Sequence, residues 1–228
     1  MAIAYDATSS GSGNGVGPFT VAHTCSGSDR VLCVSIAVYD TGDVVTGVTY
    51  NSVALTPIGS ASNGQFTVSQ WYLIAPATGA NNISVSVSGN VFDIGIAAVS
   101  LTGAHQTSAI GTQATGSGTD TTPTTTVTSA ADEIIIDGLI INNSGTLSVG
   151  AAQTARVNAA TGGGFIKYAS STATGNASEV MSWSNTTSQA WAIVATPFKP
   201  SGGATGQPAT KRVGGIPYMS SSFSPRVW

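Results

Sequence analysis

Apolar and polar residues alternate strictly in many short segments of this chain, as in the Ile-Ser-Val-Ser-Val run at 83–87. A two-residue period is typical of a β-strand with one buried face, and no segment has the helical period of 3.6 residues. The run 92–101 is almost wholly apolar, as a central strand buried on both faces would be. Strands are predicted at residues 19–23, 30–39, 44–50, 53–58, 65–74, 83–87, 92–101, 124–127, 133–141, 153–157, 165–168, 178–183 and 190–198. The Gly/Thr/Ser-rich stretch 104–121 is predicted to be an irregular connection.

Charged residues make up only 7% of the 228 residues, against about 25% in an ordinary soluble domain. This composition excludes a coiled coil, a charged helical bundle and a highly charged disordered protein. The net charge of −3 argues against nucleic acid as the main partner, because phosphate binding needs clustered Lys and Arg. No apolar run is long enough to cross a membrane. The length suits one large β-sandwich or two small ones.

The predicted fold is all-β: a two-sheet antiparallel β-sandwich of jelly-roll type with an extended C-terminal arm. Residues 1–198 contain three basic and all ten acidic side chains, a net charge of −7, whereas 199–228 contain four basic side chains and no acidic one, a net charge of +4. The predicted organisation is an N-terminal strand or arm at 1–18, the β-sandwich domain at 19–200, and a linker with a C-terminal docking arm at 201–228.

Aromatic and Arg side chains carry much of the energy of protein interfaces, and the tail holds both. A docking arm is therefore preferred to the alternative of an ordinary disordered terminus. The predicted docking residues are Lys211, Arg212, Tyr218, Phe223, Arg226 and Trp228.

Cys25 and Cys33 are the only cysteines. A tight hairpin around residues 26–29 would place Cys25 opposite Arg30 and Cys33 opposite Ala22, so the two sulfur atoms would miss each other. Reduced structural thiols are therefore predicted in preference to a disulfide. Two cysteines with no further ligand nearby do not predict a metal site.

Catalytic motifs are sparse. His23 and His105 are the only histidines, and no Gly-x-Ser-x-Gly nucleophile elbow accompanies them. Both are predicted to be structural or solvated. Glu133 and Glu179 are the only glutamates, and a solvated charge is preferred to the paired carboxylates of a glycosidase. The protein is expected not to be an enzyme, with no catalytic residue, cofactor or metal.

Two weaker candidates for binding are open. Asp40 and Asp43 offer oxygen atoms to Ca²⁺, but a turn rich in Asp and Gly is the preferred explanation of their spacing. Trp71 and Tyr72 are neighbours on a predicted strand, so one ring points inward and the other outward. An exposed ring there would be able to stack on a sugar, although core packing is preferred for these residues and for the later tryptophans.

Several stretches carry a recognisable spacing and hydrophobic pattern: GSDRVL (27–32), VTYNSVALT (48–56), WYL (71–73), AVSLTG (98–103), MSW (181–183), WAIV (191–194) and FKP (198–200). Through them the body resembles a β-sandwich module of tailed-phage virion proteins, which also occurs in secreted bacterial multi-domain proteins. The resemblance implies no catalytic residues. Secreted members carry a signal peptide and neighbouring domains; residues 1–6 have neither a basic region nor a long apolar stretch, which favours the phage branch.

The expected function is that of a non-enzymatic phage virion structural protein, most specifically a capsid decoration or cement protein on the shell surface, made in the host cytoplasm. Its expected partners are the major capsid protein or another virion protein and further copies of itself, with a trimer as the expected assembly. The alternative is a tail-fibre or surface adhesin module that binds host glycan through Trp71, Tyr72 or the pair Asp40 and Asp43. A secreted carbohydrate-binding fragment of a larger enzyme is the third hypothesis.

Overall fold

The computed structural model describes residues 1–40 and 44–202. These residues form antiparallel β-strands and no α-helix, which confirms the predicted all-β sandwich. Accordingly, the described part of the chain contains no helix of the length and apolarity that a membrane span requires. The strands are divided among four sheets rather than the predicted two.

The N-terminal half forms two sheets. Its strands are β1 (Ala4–Val16), β2 (Phe19–Cys25), β3 (Val31–Tyr39), β4 (Val45–Tyr50), β5 (Val53–Ala54), β6 (Thr56–Asn63), β7 (Phe66–Ile74), β8 (Gly79–Val87) and β9 (Asn90–Thr102). The first inner sheet has the order β1-β9-β3-β7-β6, and the first outer sheet has the order β2-β8-β4-β5.

The C-terminal half also forms two sheets. Its strands are β10 (Ala114–Asp120), β11 (Thr124–Val127), β12 (Ile134–Asn142), β13 (Leu147–Val149), β14 (Thr154–Ala160), β15 (Ile166–Thr174), β16 (Glu179–Asn185) and β17 (Gln189–Phe198). The second inner sheet has the order β10-β17-β12-β15-β14, and the second outer sheet has the order β11-β16-β13.

The two halves share one topology. Strands β1, β9, β3, β7 and β6 correspond in order to β10, β17, β12, β15 and β14, and the outer strands β2-β8-β4 correspond to β11-β16-β13. The register agrees as well, because the first residue of the central strand, Val31 or Ile134, pairs with the last or penultimate residue of both neighbouring strands. The described chain is therefore a tandem structural repeat, with β5 as an addition to the first copy.

Three apolar cores separate the four sheets. The first core lies between the outer and inner sheets of the N-terminal half and includes Ile36 and Ile83. The middle core lies between the two inner sheets and includes Ile140. The last core lies between the sheets of the C-terminal half and includes Trp183 and Ile193. The central strands β3, β9, β12 and β17 are consequently buried on both faces, as the apolar run 92–101 predicts for β9.

The two inner sheets approach each other closely because glycine stands at two contact points. A Cβ atom on Gly95 of β9 would lie 2.3 Å from the ring of Tyr168 on β15, and one on Gly138 of β12 would lie 2.6 Å from the side chain of Ser35 on β3. A well-packed interior has no room for such an overlap. These two glycines therefore set the spacing of the inner sheets.

A buried amide links the inner sheets. The side chain of Gln70 on β7 is fully buried, and its Nε2 donates to the carbonyl oxygen of Ile136 on β12 at 3.1 Å. Its Oε1 accepts a hydrogen bond from Thr196 Oγ1 on β17 at 2.7 Å. Because a buried amide is costly without partners, this network favours one alignment of the two sheets over others.

Strand β10 corrects the sequence-based expectation. Residues 104–121 are predicted to be an irregular connection, which is wrong for Ala114–Asp120, because this segment pairs with β17. Its counterpart β1 pairs with β9, so residues 4–16 belong to the first inner sheet. Both strands carry a Gly-Ser-Gly triplet, at 11–13 and 116–118. A Cβ atom on Gly116 would lie 2.4 Å from the carbonyl oxygen of Thr124, so glycine is required where β10 passes close to Thr124. Because glycine takes the place of an apolar residue there, the segment lacks the alternation of apolar and polar residues by which strands are predicted.

The hairpin predicted around residues 26–29 is also wrong. Strand β2 pairs with β8 in the outer sheet, whereas β3 pairs with β7 and β9 in the inner sheet, so the connection crosses between sheets. Cys25 consequently lies in the first core and Cys33 in the middle core. Both thiols are free, in agreement with the predicted reduced state.

Replacing Gly95 by Ala should destabilise the protein, because the new methyl group would overlap both the ring and the Cβ of Tyr168. We expect the free energy of unfolding to fall by about 1–3 kcal/mol, measured by urea denaturation. Gly47→Ala is the matched control, because nothing lies within 4 Å of its added Cβ. Equal stabilities for the two variants would contradict the close contact between the inner sheets.

Candidate functional site

The two termini of the described chain meet at one end of the sheets, which we call the basal end. The ammonium group of Met1 donates to the carbonyl oxygen and to Oγ of Ser201 at 3.2 and 3.0 Å. A β-bridge joins Ala104 to Pro200 beside them. The segment that follows Gly202 therefore begins at the basal end.

An open cavity of about 730 Å³ lies at the basal end. Ile3 and Ile134 contribute apolar walls, Asp132 and Glu133 contribute carboxylates, and Gly202 is part of the lining. The carboxylate of Glu133 also accepts a hydrogen bond from the Ala130 backbone N–H. The cavity thus combines apolar surface with negative charge at the place where the described chain ends.

Four aromatic rings cluster at the opposite, distal end and form the distal aromatic patch: Tyr39, Phe66, Phe92 and Phe165. The rings of Tyr39 and Phe66 are stacked, with centroids 5.1 Å apart and planes at 12°. The rings of Phe92 and Phe165 lie 5.4 and 5.7 Å from Tyr39, both tilted by 39°. Phe92 is 51% exposed and Phe165 is 53% exposed, so the patch opens to solvent.

The loop that carries Phe165 is held by a buried carboxylate. Asp93 of β9 is fully buried, and its Oδ2 accepts hydrogen bonds from the Phe165 backbone N–H at 3.1 Å and from Thr161 Oγ1. A Cβ atom on Gly163 would lie 2.9 Å from the carboxyl group, so only glycine allows the loop to pass over Asp93. The other carboxylate oxygen, Oδ1, is buried with no hydrogen-bond partner.

The three residue types of a hydrolase triad occur near one another in the first half, but they do not form the hydrogen-bonded chain of a triad. The residues are Ser9, His23 and Asp6. Ser9 Oγ lies 2.7 Å from His23 Nδ1, while the buried Nε2 of the same ring has no partner. Asp6 instead accepts hydrogen bonds from Ser26 and from Ser100 Oγ. In a triad the carboxylate would orient the second ring nitrogen. Burial lowers the pKa of His23, and the charge of Asp6 opposes that shift only in part.

A second buried carboxylate lies in the last core. Asp137 Oδ2 accepts hydrogen bonds from Trp183 Nε1 and from Ser171 Oγ, both at 2.8 Å, and Oδ1 accepts one from the Ser171 backbone N–H. Burial raises the pKa of Asp137 to about 7, although these hydrogen bonds act in the opposite direction. Asp137 is fully enclosed, so its role is structural.

The cysteine thiols are not placed for chemistry. Both lie in apolar cores, and burial raises the pKa of Cys25 and of Cys33, which disfavours the reactive thiolate. No group of three or more His, Cys, Asp or Glu side chains that could hold a metal ion occurs within residues 1–40 and 44–202.

Packing accounts for Tyr72 and for three tryptophans of the described residues, Trp71, Trp183 and Trp191. Trp71 is half-buried against the first core, and its Nε1 donates to Ser69 Oγ at 3.2 Å. Tyr72 packs against the middle core. Trp183 and Trp191 are buried in the last core. The sugar-stacking surface that the sequence suggests at 71 and 72 is therefore not an open aromatic face.

The remaining candidates are distributed as follows. His105 Nδ1 accepts hydrogen bonds from the backbone N–H groups of Thr107 and Ser108. Glu179 accepts one from Asn176 Nδ2 at 2.8 Å. Asp43, the partner of Asp40 in the weighed Ca²⁺ site, lies outside the described residues. The same holds for the predicted docking residues Lys211, Arg212, Tyr218, Phe223, Arg226 and Trp228.

The distal aromatic patch is the site that reasoning from the sequence missed. Its four rings come from positions far apart in the chain, and each alone looks like an ordinary core residue. One signal was present: Phe92 stands at the polar edge of an apolar run, and Phe165 follows three glycines. Such positions at strand ends favour exposure, but the meeting of the rings depends on the packing of the two halves.

The comparisons with known proteins found no matching family model, no matching curated protein and no matching solved structure.

The carboxyl group of Asp137 should leave a signature in the pH dependence of stability. The pKa of Asp137 lies near 7 in the folded state and near 4 in the unfolded state. Between about pH 4 and pH 7, Asp137 therefore keeps a proton in the folded protein that it loses on unfolding. The free energy of unfolding should therefore fall with rising pH across this window, by on the order of 1 kcal/mol per pH unit relative to Asp137→Asn. Urea denaturation of both proteins between about pH 4 and pH 8 measures the difference. Parallel profiles would contradict a proton held by Asp137.

Proposed function

We propose that the protein is a non-enzymatic structural protein of a phage particle, and specifically a decoration or cement protein attached to the capsid shell by its basal end. The observation that carries the proposal is the convergence of Met1 and Ser201 at one end of the sandwich. A basic, aromatic tail leaves from that end, so one pole is suited to attachment while the rest of the body stands clear.

The charge distribution supports attachment through the tail. The tail from 199 onward has a net charge of +4, whereas residues 1–198 have a net charge of −7. The body would therefore repel an acidic shell surface, and the tail would be drawn to it. Trp228, Arg226 and Tyr218 are of the residue types that dominate interface energies. The proposed partner is the major capsid protein or another virion protein.

A repeating lattice would turn modest contacts into durable attachment. Copies that are linked to one another, as in the proposed trimer, bind neighbouring sites with a high effective concentration. The proposed protein would be made in the host cytoplasm and exposed on the particle surface. A low-charge sandwich that buries three apolar cores suits this role.

A second candidate function is that of a tail-fibre or surface adhesin module that binds host glycan. One observation favours it, namely the exposure of Phe92 and Phe165 at the distal end. The residues first considered for this function, Trp71 and Tyr72, pack against the cores.

Particle fractionation tests the proposal. Purified particles would be separated into heads and tails, and mass spectrometry would count this chain in each fraction. We expect a high copy number in the head fraction. Presence only with tails would favour the adhesin function, and absence from both fractions would overturn the virion proposal.

Changes in the tail should abolish attachment. We expect the double variant Arg226→Ala/Trp228→Ala to lose at least about tenfold in affinity for particles that lack the protein, because two anchors of a short arm are removed. Co-sedimentation with such particles measures the loss. The matched control is Phe92→Ala/Phe165→Ala, which removes two exposed rings at the distal end and should attach normally. Undiminished binding of the tail variant would refute docking through these residues.

A further inference from the structure

We propose that the distal aromatic patch is a binding site for a neutral saccharide, independent of attachment through the basal end. The rings of Tyr39 and Phe66 form a stacked pair, and the exposed rings of Phe92 and Phe165 flank it. Aromatic faces contribute a large apolar contact area with a specific geometry. The C–H face of a pyranose ring is a suitable partner for such a surface.

Tyr39 and Phe66 pack in part against the middle core, but the repeated fold does not require an aromatic ring at these positions. In the second half of the tandem repeat, the positions that correspond to Tyr39, Phe66 and Phe92 are occupied by Asn142, Ile166 and Gln189. The same topology forms there without an aromatic patch. Contiguous exposed apolar surface on a soluble protein indicates an interaction site, and the exposed rings of Phe92 and Phe165 are part of none of the apolar cores of the described residues.

The site is held in place before any ligand arrives. Asp93 fixes the backbone of Phe165 and the hydroxyl of Thr161 from below. Ser12 Oγ accepts a hydrogen bond from the Gly162 backbone N–H at 3.2 Å, and Asn143 Nδ2 donates to the Gly164 carbonyl oxygen at 3.0 Å. Preorganisation of this kind lowers the entropic cost of binding.

A buried carboxylate under the loop favours an uncharged ligand at the patch. Asp93 is fully buried, and its Oδ1 is closed off from solvent below the loop that carries Phe165, so a ligand at the patch does not contact this oxygen. Both this carboxylate and the net charge of −7 on residues 1–198 disfavour a phosphate or sulfate group at the patch, whereas a neutral saccharide is not repelled.

The size of the patch favours a saccharide over a protein partner. The centroids of Phe66, Phe92 and Phe165 lie 5.1, 5.4 and 5.7 Å from the centroid of Tyr39, so the cluster is only a few ring widths across. A specific protein interface buries about 800 Å² on each partner. The polar groups around the loop are hydroxyl, amide and carboxylate groups, from Ser12, Asn143 and Asp93, which is the chemistry of small-ligand sites.

Affinity electrophoresis of the full chain tests the site. The protein would be run through gels that contain dextran, mannan, a soluble β-1,3-glucan or a galactan. We expect retardation by at least one of them, and at least about tenfold weaker binding for Phe92→Ala and for Phe165→Ala, since each removes an exposed ring. Phe165→Tyr keeps the ring and should retain binding.

Tyr5→Ala is the matched control, because Tyr5 is also a partly exposed aromatic residue but lies at the basal end of β1. It should bind as the wild type does. The proposal is overturned if none of the four polysaccharides retards the protein, or if the patch variants bind as well as the wild type. A change of oligomeric state in Phe92→Ala, without any polysaccharide binding, would identify the patch as a protein interface instead. The attachment assay on particles remains a separate measurement, so failure of one proposal leaves the other to its own test.

Discussion

The packing of the two inner sheets against each other is the contact on which the rest of the molecule depends. Strands β3, β9, β12 and β17 are apolar on both faces, so an isolated half would expose one face of its central strands to water. The halves therefore bury a shared middle core, and hydrophobic burial is the main term that holds them together. Gly95 and Gly138 set how close the sheets come, and Gln70 favours one alignment.

That shared packing creates two different poles. At the basal end it brings Met1 next to Ser201, so an arm can leave the body at one place. At the distal end it brings Phe165 of the second half against Tyr39 of the first. Neither half contains the complete patch. The two copies differ at the distal end, because Tyr39 and Phe92 of the first half correspond to Asn142 and Gln189 of the second.

Reasoning from the sequence succeeded where burial imposes a pattern and failed where close approach removes it. The alternating runs and the apolar run of β9 were assigned to strands because their side chains face cores. Strand β10 was missed because its crossing over Thr124 leaves no space for side chains at Gly116. The hairpin at 26–29 was wrong because a turn composition does not reveal whether the chain returns to the same sheet or crosses to another.

Composition and periodicity were sufficient for the all-β class and for the position of most strands, because these follow from local propensity and from which residues avoid water. The reduced cysteines were predicted from a hairpin that does not form, and they are free because Cys25 and Cys33 lie in different cores. The tandem repeat, the four-layer stacking and the distal aromatic patch depend on residues that are distant in sequence and meet only when the inner sheets pack. The same holds for Asp93 and Asp137: the sequence shows two aspartates in apolar strands, and only the surrounding sheets determine that one fixes a surface loop while the other is enclosed in a core. Contacts between distant segments are set by the global packing, and no local pattern encodes them.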